Sequence, residues 1–395
     1  MADVHLITDT AALAAFCAKV ETADFIAVDT EFMRESTYYP ELCLIQVATR
    51  EHAAAIDPLA DGIDLSCLLD LLVEREDILK VFHAGGQDVE IIYNLTGKTP
   101  HPIFDTQIGA MALAQAEQLG YSNLVESWLG ISLDKGARFT DWSRRPLDKR
   151  QLDYAIADVT HLAKIVPMML DKLRKTDRGH WLDEEMEKLA DPANYALDPD
   201  DAWLRIKVPS RKPEVLGRLR ALGAWREKEA RGKNLPRGRI AKDETLLEIA
   251  AHPPQRQDDL TRIRGLSPAW KGNEIGARLM SALAGATPVH RDETPCTPRG
   301  PGLGKEGVLV ADLLKLLLKI RAREMNVAAR LIARSDELEA LACGARDGLA
   351  ILSGWRREVF GQDALELVEG RLGFTVTKGR LKMMRGDPAA AGVDL

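Results

Sequence analysis

The chain has 395 residues, enough for two or three ordinary domains, and its 46% hydrophobic content can fill their cores. No run of eighteen or more apolar residues occurs, so no transmembrane helix is indicated. Five scattered cysteines without C-x-x-C spacing argue against a disulfide framework or a zinc site. The net charge of −7 divides into −17 over residues 1–200 and +10 over 201–395. Two ordinary domains with different surfaces would give such a split. So would an acidic half that collects divalent cations and a basic half that holds a polyanion. Met1-Ala2-Asp3 opens without a basic and apolar leader, so no secretory signal is expected and a cytoplasmic location fits.

The first 200 residues alternate strand and helix patterns. Strands are predicted at Phe25–Asp29, Leu42–Ala48, Ala53–Asp57 and Ile78–Phe82, and helices at Leu65–Val73, Gln87–Tyr93, Thr106–Leu113, Asn123–Leu129 and Lys149–Leu173. Asp148 with Gln151 three residues on forms a capping box for the last helix. This order predicts a mixed sheet covered by helices. Pro192, Pro199, Pro209 and Pro213 mark a linker. Every later segment reads as helical with no convincing strand pair, and a Pro/Gly/Thr-rich stretch from Thr287 to Gly304 divides it into two pieces. The tail, Gly386–Leu395, has the composition of a frayed end.

Four places carry candidate chemistry. Asp29 and Glu31 lie two apart at the end of a strand, so they project from one face while Thr30 points away. Side-by-side carboxylates suit a hard divalent cation, although Asp-x-Glu alone more often marks a solvated strand end. Asp88 follows the strand and glycines of Val81-Phe82-His83-Ala84-Gly85-Gly86, at a helix start where it serves a site or simply the helix dipole. Tyr154 and Asp158, spaced i, i+4, share one helix face. Trp142, Arg144 and Arg145, in Phe139-Thr140-Asp141-Trp142-Ser143-Arg144-Arg145-Pro146-Leu147, suit base stacking and phosphate contact, or a loop plug with solvated charges.

Together these residues resemble the DEDD exonuclease superfamily, in the subgroup whose last motif carries tyrosine, and within it the ribonuclease D family. The resemblance runs through Asp29-Thr30-Glu31-Phe32, Tyr38-Tyr39-Pro40, Leu44-Ile45-Gln46-Val47, Phe82-His83-Ala84, Gln87-Asp88, Phe104-Asp105-Thr106-Gln107, Asp141-Trp142 and Arg145-Pro146-Leu147, and ends at Tyr154-Ala155 with Ala157-Asp158. Asn234-Leu235-Pro236-Arg237-Gly238-Arg239 with Asp243-Glu244-Thr245-Leu246-Leu247 resembles an HRDC domain. A divergent second copy has Gly354-Trp355-Arg356-Arg357 as its landmark.

The resemblance implies an α/β ribonuclease H-like exonuclease domain over 1–200, a mixed sheet flanked by helices. Two small all-α HRDC-like domains follow at 208–290 and 303–382. It implies a 3′→5′ exoribonuclease using two divalent ions, Mg²⁺ or Mn²⁺, held by Asp29, Glu31, Asp88 and Asp158, with Tyr154 orienting the attacking water. Substrate contacts are expected from Phe32, Met33, His83, Trp142, Arg144, Arg145, Arg237 and Arg239. The basic run Arg211, Lys212, Arg218, Arg220, Arg226, Lys228, Arg231, Lys233, Arg237, Arg239 and Lys242 is expected to retain structured RNA, with about half its members merely solvated. The expected substrate is a tRNA precursor with a 3′ extension, and the expected state a monomer. A DNA 3′→5′ exonuclease of the proofreading or Werner type and a non-catalytic nucleic-acid-binding module are the alternatives. Gly97-Lys98-Thr99 is no phosphate-binding loop, because Ile92 stands where the first glycine belongs.

Overall fold

The structure, a computed structural model, describes residues 6–113, 116–133, 136, 140–208, 212–290 and 304–386. Met1-Ala2-Asp3, Phe139, Arg211, Cys296 with most of the divider, and the tail beyond Gly386 lie outside these residues. Six strands form one sheet: β1 (Leu6–Ile7), β2 (Phe25–Met33), β3 (Glu41–Ala48), β4 (Ala53–Ile56), β5 (Leu79–Phe82) and β6 (Ile103–Asp105). The helices of this part of the chain are α1 (Thr10–Val20), α2 (Ser66–Val73), α3 (Gly86–Thr96), α4 (Thr106–Ala112), α5 (Tyr121–Leu129), α6 (Lys149–Lys175) and α7 (Asp183–Ala190). Beyond these come α8 (Pro213–Lys233), α9 (Arg237–Ile240), α10 (Asp243–Ala251), α11 (Glu274–Ala284) and α12 (Lys305–Met325). The chain ends with α13 (Ala329–Ile332), α14 (Ser335–Ala342), α15 (Gly354–Arg356), a π-turn, α16 (Gln362–Val368), β7 (Leu372–Thr377) and β8 (Arg380–Arg385).

The chain folds as two compact units, one of residues 1–104, 133–164 and 186–295, the other of 105–132, 165–185 and 296–395. In the first, the sheet order is β1-β4-β3-β2-β5-β6. β2 runs antiparallel to β3 and parallel to β5, and β4 runs antiparallel to β3 and parallel to β1, so the sheet is mixed as expected. Alternation gives β2 two different faces. Ile26, Val28, Ile45 and Val47 pack with Leu13 and Phe16 of α1, Leu68 and Leu72 of α2 and Val89 of α3. Leu44 and Ala55, on the other face, pack with Trp142, Leu147 and Ala155. Asp29 and Glu31 belong to this second face, beneath the start of α6.

Helix α1 and strands β1 and β6 are absent from the sequence expectations. The two strands have only 2 and 3 residues, too few to show alternation. Cys17 and Cys67, 50 positions apart, bring their sulfurs within 3.2 Å as α1 meets α2, both as free thiols.

In the same unit, α8 to α11 enclose a core of Leu219, Leu222, Trp225, Leu246, Ile249, Leu260, Trp270 and Leu279. Asn234 ends α8 in the left-handed region, φ 49°. Its Oδ1 accepts the backbone N–H groups of Tyr38 and Tyr39 at 3.1 and 3.0 Å. The Tyr38 hydroxyl donates to Glu227, which Arg237 also grips at 2.6 Å. Two of the resemblance motifs therefore meet each other around one buried carboxylate.

In the second unit, Leu314, Leu317, Ile332, Leu341, Ile351 and Phe360 form the core with Trp181. Trp355 stacks on Trp181 with centroids 4.4 Å apart, and the neighbouring Arg356 pairs with Glu184 and Glu185. The segment repeats the earlier helical order. Helices α8 and α12 each have 21 residues, each ends in a left-handed asparagine (Asn234, Asn326), and each is followed by a four-residue helix. The segment is not all helical, however. Strands β7 and β8 pair as a hairpin, which corrects the expectation of no strand pair. Its signal is Lys378-Gly379, both at positive φ (51° and 72°), the two-residue turn that matches strand twist. No helix among the described residues is long and apolar enough to cross a membrane.

Candidate active site

Three of the four expected carboxylates converge. Oxygens of Asp29, Glu31 and Asp158 all lie within 4.8 Å of one another. Asp29 and Glu31 come from the end of β2 and Asp158 from α6, where it is 8% exposed. Helix α6 starts where expected: Asp148 Oδ1 accepts the Gln151 N–H at 2.8 Å, and Gln151 Oε1 accepts the Asp148 N–H at 3.0 Å. This reciprocal cap sets the register that brings Tyr154 and Asp158 over the sheet. Bare anions in such a cluster are unfavourable. Burial first, then the charge of Asp158, push the Asp29 carboxyl from 3.8 up to about 8.

Asp88 is not one of that trio and sits against the other face of β2, the face to which Thr30 points. It is 8% exposed in the first turn of α3, and Thr30 Oγ1 donates to its Oδ1 at 2.5 Å. Thr30 does point away from Asp29 and Glu31, and in doing so it fixes the fourth carboxylate. The sequence signal was available: a threonine between two acidic residues presents its hydroxyl to the opposite face. The approach to α3 depends on Gly85, where an added Cβ would lie 2.4 Å from Phe82 Cβ. The Tyr154 phenol donates to Asp158, and its pKa is raised by burial and then by Asp158, Glu31 and Asp29.

The expected substrate contacts divide. The β2–β3 register slips between Glu31 and Phe32, a bulge of the kind that re-aims side chains beside active sites. Met33 stays on the Asp29 face and packs at the edge of the Trp142 cluster, while Phe32 and His83 are partly exposed. Arg144 is 84% exposed and pairs with Asp141 at 3.0 Å, and Arg239 is exposed.

Two expectations are corrected. Trp142 is 2% exposed in the core beneath α6, with its ring against Tyr154 at 6.2 Å, so it cannot stack a base. Arg145 is also structural. Its Nε and Nη2 each reach Asp57 at 2.6 Å, Nη2 reaches the Cys43 carbonyl at 2.7 Å, and Nη1 reaches the Trp142 and Arg144 carbonyls at 2.8 Å. All five guanidinium donors are thereby used. Arg237 is tied to Glu227 and Tyr38 while its side chain stays 33% exposed. Of the other basic residues, Arg226 is 5% exposed and pairs with Asp243, and Arg231 pairs with Glu227. Arg220, Lys228 and Lys242 are exposed.

Removing Arg145 leaves Asp57, 4% exposed, as an uncompensated buried charge. Arg145→Ala is expected to lower unfolding free energy by about 3 kcal/mol. Urea titration measures this, and a loss below about 1 kcal/mol would contradict the assignment.

The 3'-5' exonuclease family model matches residues 4–174, and the HRDC domain model matches 215–283. Ribonuclease D of Sphingobium indicum is 67% identical over 381 residues, covering 96% of this chain and 98% of that protein. Ribonuclease D of Zymomonas mobilis is 61% identical, covering 96% and 97%. Among solved structures, Escherichia coli RNase D, an exoribonuclease involved in structured RNA processing, superposes with a TM-score of 0.77 at 29% identity. That match covers 93% of this chain and 99% of the other.

Proposed function

The chain belongs to the ribonuclease D family and is a 3′→5′ exoribonuclease, and we propose that it trims 3′ extensions from structured RNA, tRNA precursors foremost, releasing 5′-mononucleotides. The observation that carries the mechanism is the convergence of Asp29, Glu31 and Asp158 within 4.8 Å, beside the Tyr154 phenol. A carboxylate trio in which Asp29 resists ionisation alone fits a divalent cation, which takes oxygen ligands and offsets the repulsion. Asp29, Glu31 and Asp158 would hold one Mg²⁺ or Mn²⁺, and Asp29 with Asp88 a second. When bound, the ions neutralise phosphate charge and make a water more acidic.

The remaining work falls to the chain's own side chains. Tyr154 stays protonated at neutral pH, so it orients the attacking water by hydrogen bonding and does not act as a base. Thr30 holds the Asp88 carboxylate in place. Phe32, Met33 and His83 border the pocket for the terminal nucleotide, and Arg144 and Arg239 contact phosphates. Residues 1–200, 208–290 and 303–382 act as the exonuclease and two HRDC-like domains, in a cytoplasmic monomer. The repeated helix order, with its left-handed asparagines, supports the second HRDC-like assignment.

A time course on a 3′-extended tRNA precursor and a single-stranded DNA of matched length, with Mg²⁺, Mn²⁺ or EDTA, tests this reading. The expected result is metal-dependent release of mononucleotides from the RNA. Faster trimming of the DNA, or release of oligonucleotides, would overturn it.

A further inference from the structure

One residue of the resemblance motifs has no task in the mechanism above. Gln46 sits in β3 directly opposite Asp29 in the antiparallel ladder, and opposite Ala55 on its other side. Directly opposed residues point to the same face, with Cβ atoms about 5 Å apart. Gln46 therefore lies on the face of Asp29 and Glu31, among Leu44, Ala55, Trp142 and Ala155. It is 0% exposed, and neither its Oε1 nor its Nε2 has a hydrogen-bond partner among the described residues. A buried amide left unpaired costs on the order of 1–3 kcal/mol, and an apolar side chain of equal length would avoid that cost. Burial alone gives no reason for an amide here. Its position beside the carboxylate does, because the Nε2 group offers two donors and Asp29 offers oxygen lone pairs.

We infer that Gln46 is a positioning residue: with a cation bound, its otherwise unpaired side-chain amide donates to Asp29 and holds that carboxylate in the orientation the cation requires. The inference rests on the reading of Asp29 as a metal ligand. Groups that orient a ligand in this way typically contribute about 10- to 100-fold to metal affinity or activity.

The test measures Mn²⁺ affinity by calorimetry, thermal unfolding without metal, and kcat and KM on a 3′-extended RNA. It uses wild type, Asp29→Ala and Gln46→Met. Gln46→Met keeps side-chain length and removes the amide. Its expected effects are opposed: metal-free melting unchanged or higher, Mn²⁺ affinity about 10- to 100-fold weaker, and kcat lower with KM for RNA unchanged. Mn²⁺ affinity and kcat within twofold of wild type would overturn the inference and leave Gln46 a packing residue. Wild type binding Mn²⁺ no better than Asp29→Ala would overturn the metal reading and this inference with it. Should Gln46→Met fail to fold, Gln46→Asn keeps the amide but withdraws it by one methylene, and it carries the same expectation for Mn²⁺ and kcat.

Discussion

Replacing Asp29 by asparagine is expected to abolish RNA trimming while making the metal-free protein more stable. The catalytic loss follows from the membership of Asp29 in the carboxylate trio, where its charge helps hold the cation. Transition-state charge stabilisation of several kcal/mol depends on it, so kcat should fall by roughly 10⁴-fold. The gain in stability follows from the raised pKa. The folded protein holds the Asp29 proton up to about pH 8, whereas the unfolded chain releases it near 3.8. The folded state thus binds more protons between these values, and this group's contribution to stability declines as pH rises through that window. At neutral pH the metal-free wild type carries that cost, and asparagine does not. The full span corresponds to roughly 6 kcal/mol, and because Asp29 titrates jointly with Asp158 only part of it belongs to Asp29, so a gain of about 2 kcal/mol is expected. The same proton must leave when a cation binds, so Mn²⁺ affinity should climb with pH between about 6 and 8. Calorimetric melting at pH 5 and pH 8 without metal checks the first point: the difference between variant and wild type should be larger at pH 8. An equal or reversed difference would contradict the assignment.

Tyr154→Phe carries the second large effect. The phenol touches Asp158 and lies against Trp142, so the ring fills core space while the hydroxyl serves the chemistry. Phenylalanine keeps the packing and removes only the hydroxyl. Loss of one positioned hydrogen bond to a reacting group costs about 10²- to 10³-fold in kcat, with metal affinity largely retained. Single-turnover rates with saturating Mn²⁺ separate the two quantities. A variant that cleaves at the wild-type rate would remove Tyr154 from the mechanism.

Much of this site was legible in the sequence because its signals are local. The two-residue spacing of Asp29 and Glu31, the four-residue spacing of Tyr154 and Asp158, and the Asp148–Gln151 cap all follow from strand and helix periodicity. The errors arose where a partner is distant. Trp142 and Arg145 read as RNA contacts because nothing near them in sequence shows that Asp57, 88 residues away, occupies the guanidinium. The hydrogen bond from Arg237 to Tyr38, 199 residues away, is equally invisible in the sequence. The pairing of Cys17 with Cys67 needs the α1–α2 contact before it can be seen. The Lys378-Gly379 hairpin is a different failure, because its turn signal was present and outweighed by the helical pattern before it.

The most direct test is anomalous diffraction from crystals soaked with Mn²⁺ and a 5′-mononucleotide. The account predicts manganese peaks between Asp29, Glu31 and Asp158 and beside Asp88, with the phosphate next to them. Manganese bound elsewhere, in crystals of a protein that still trims RNA, would contradict it.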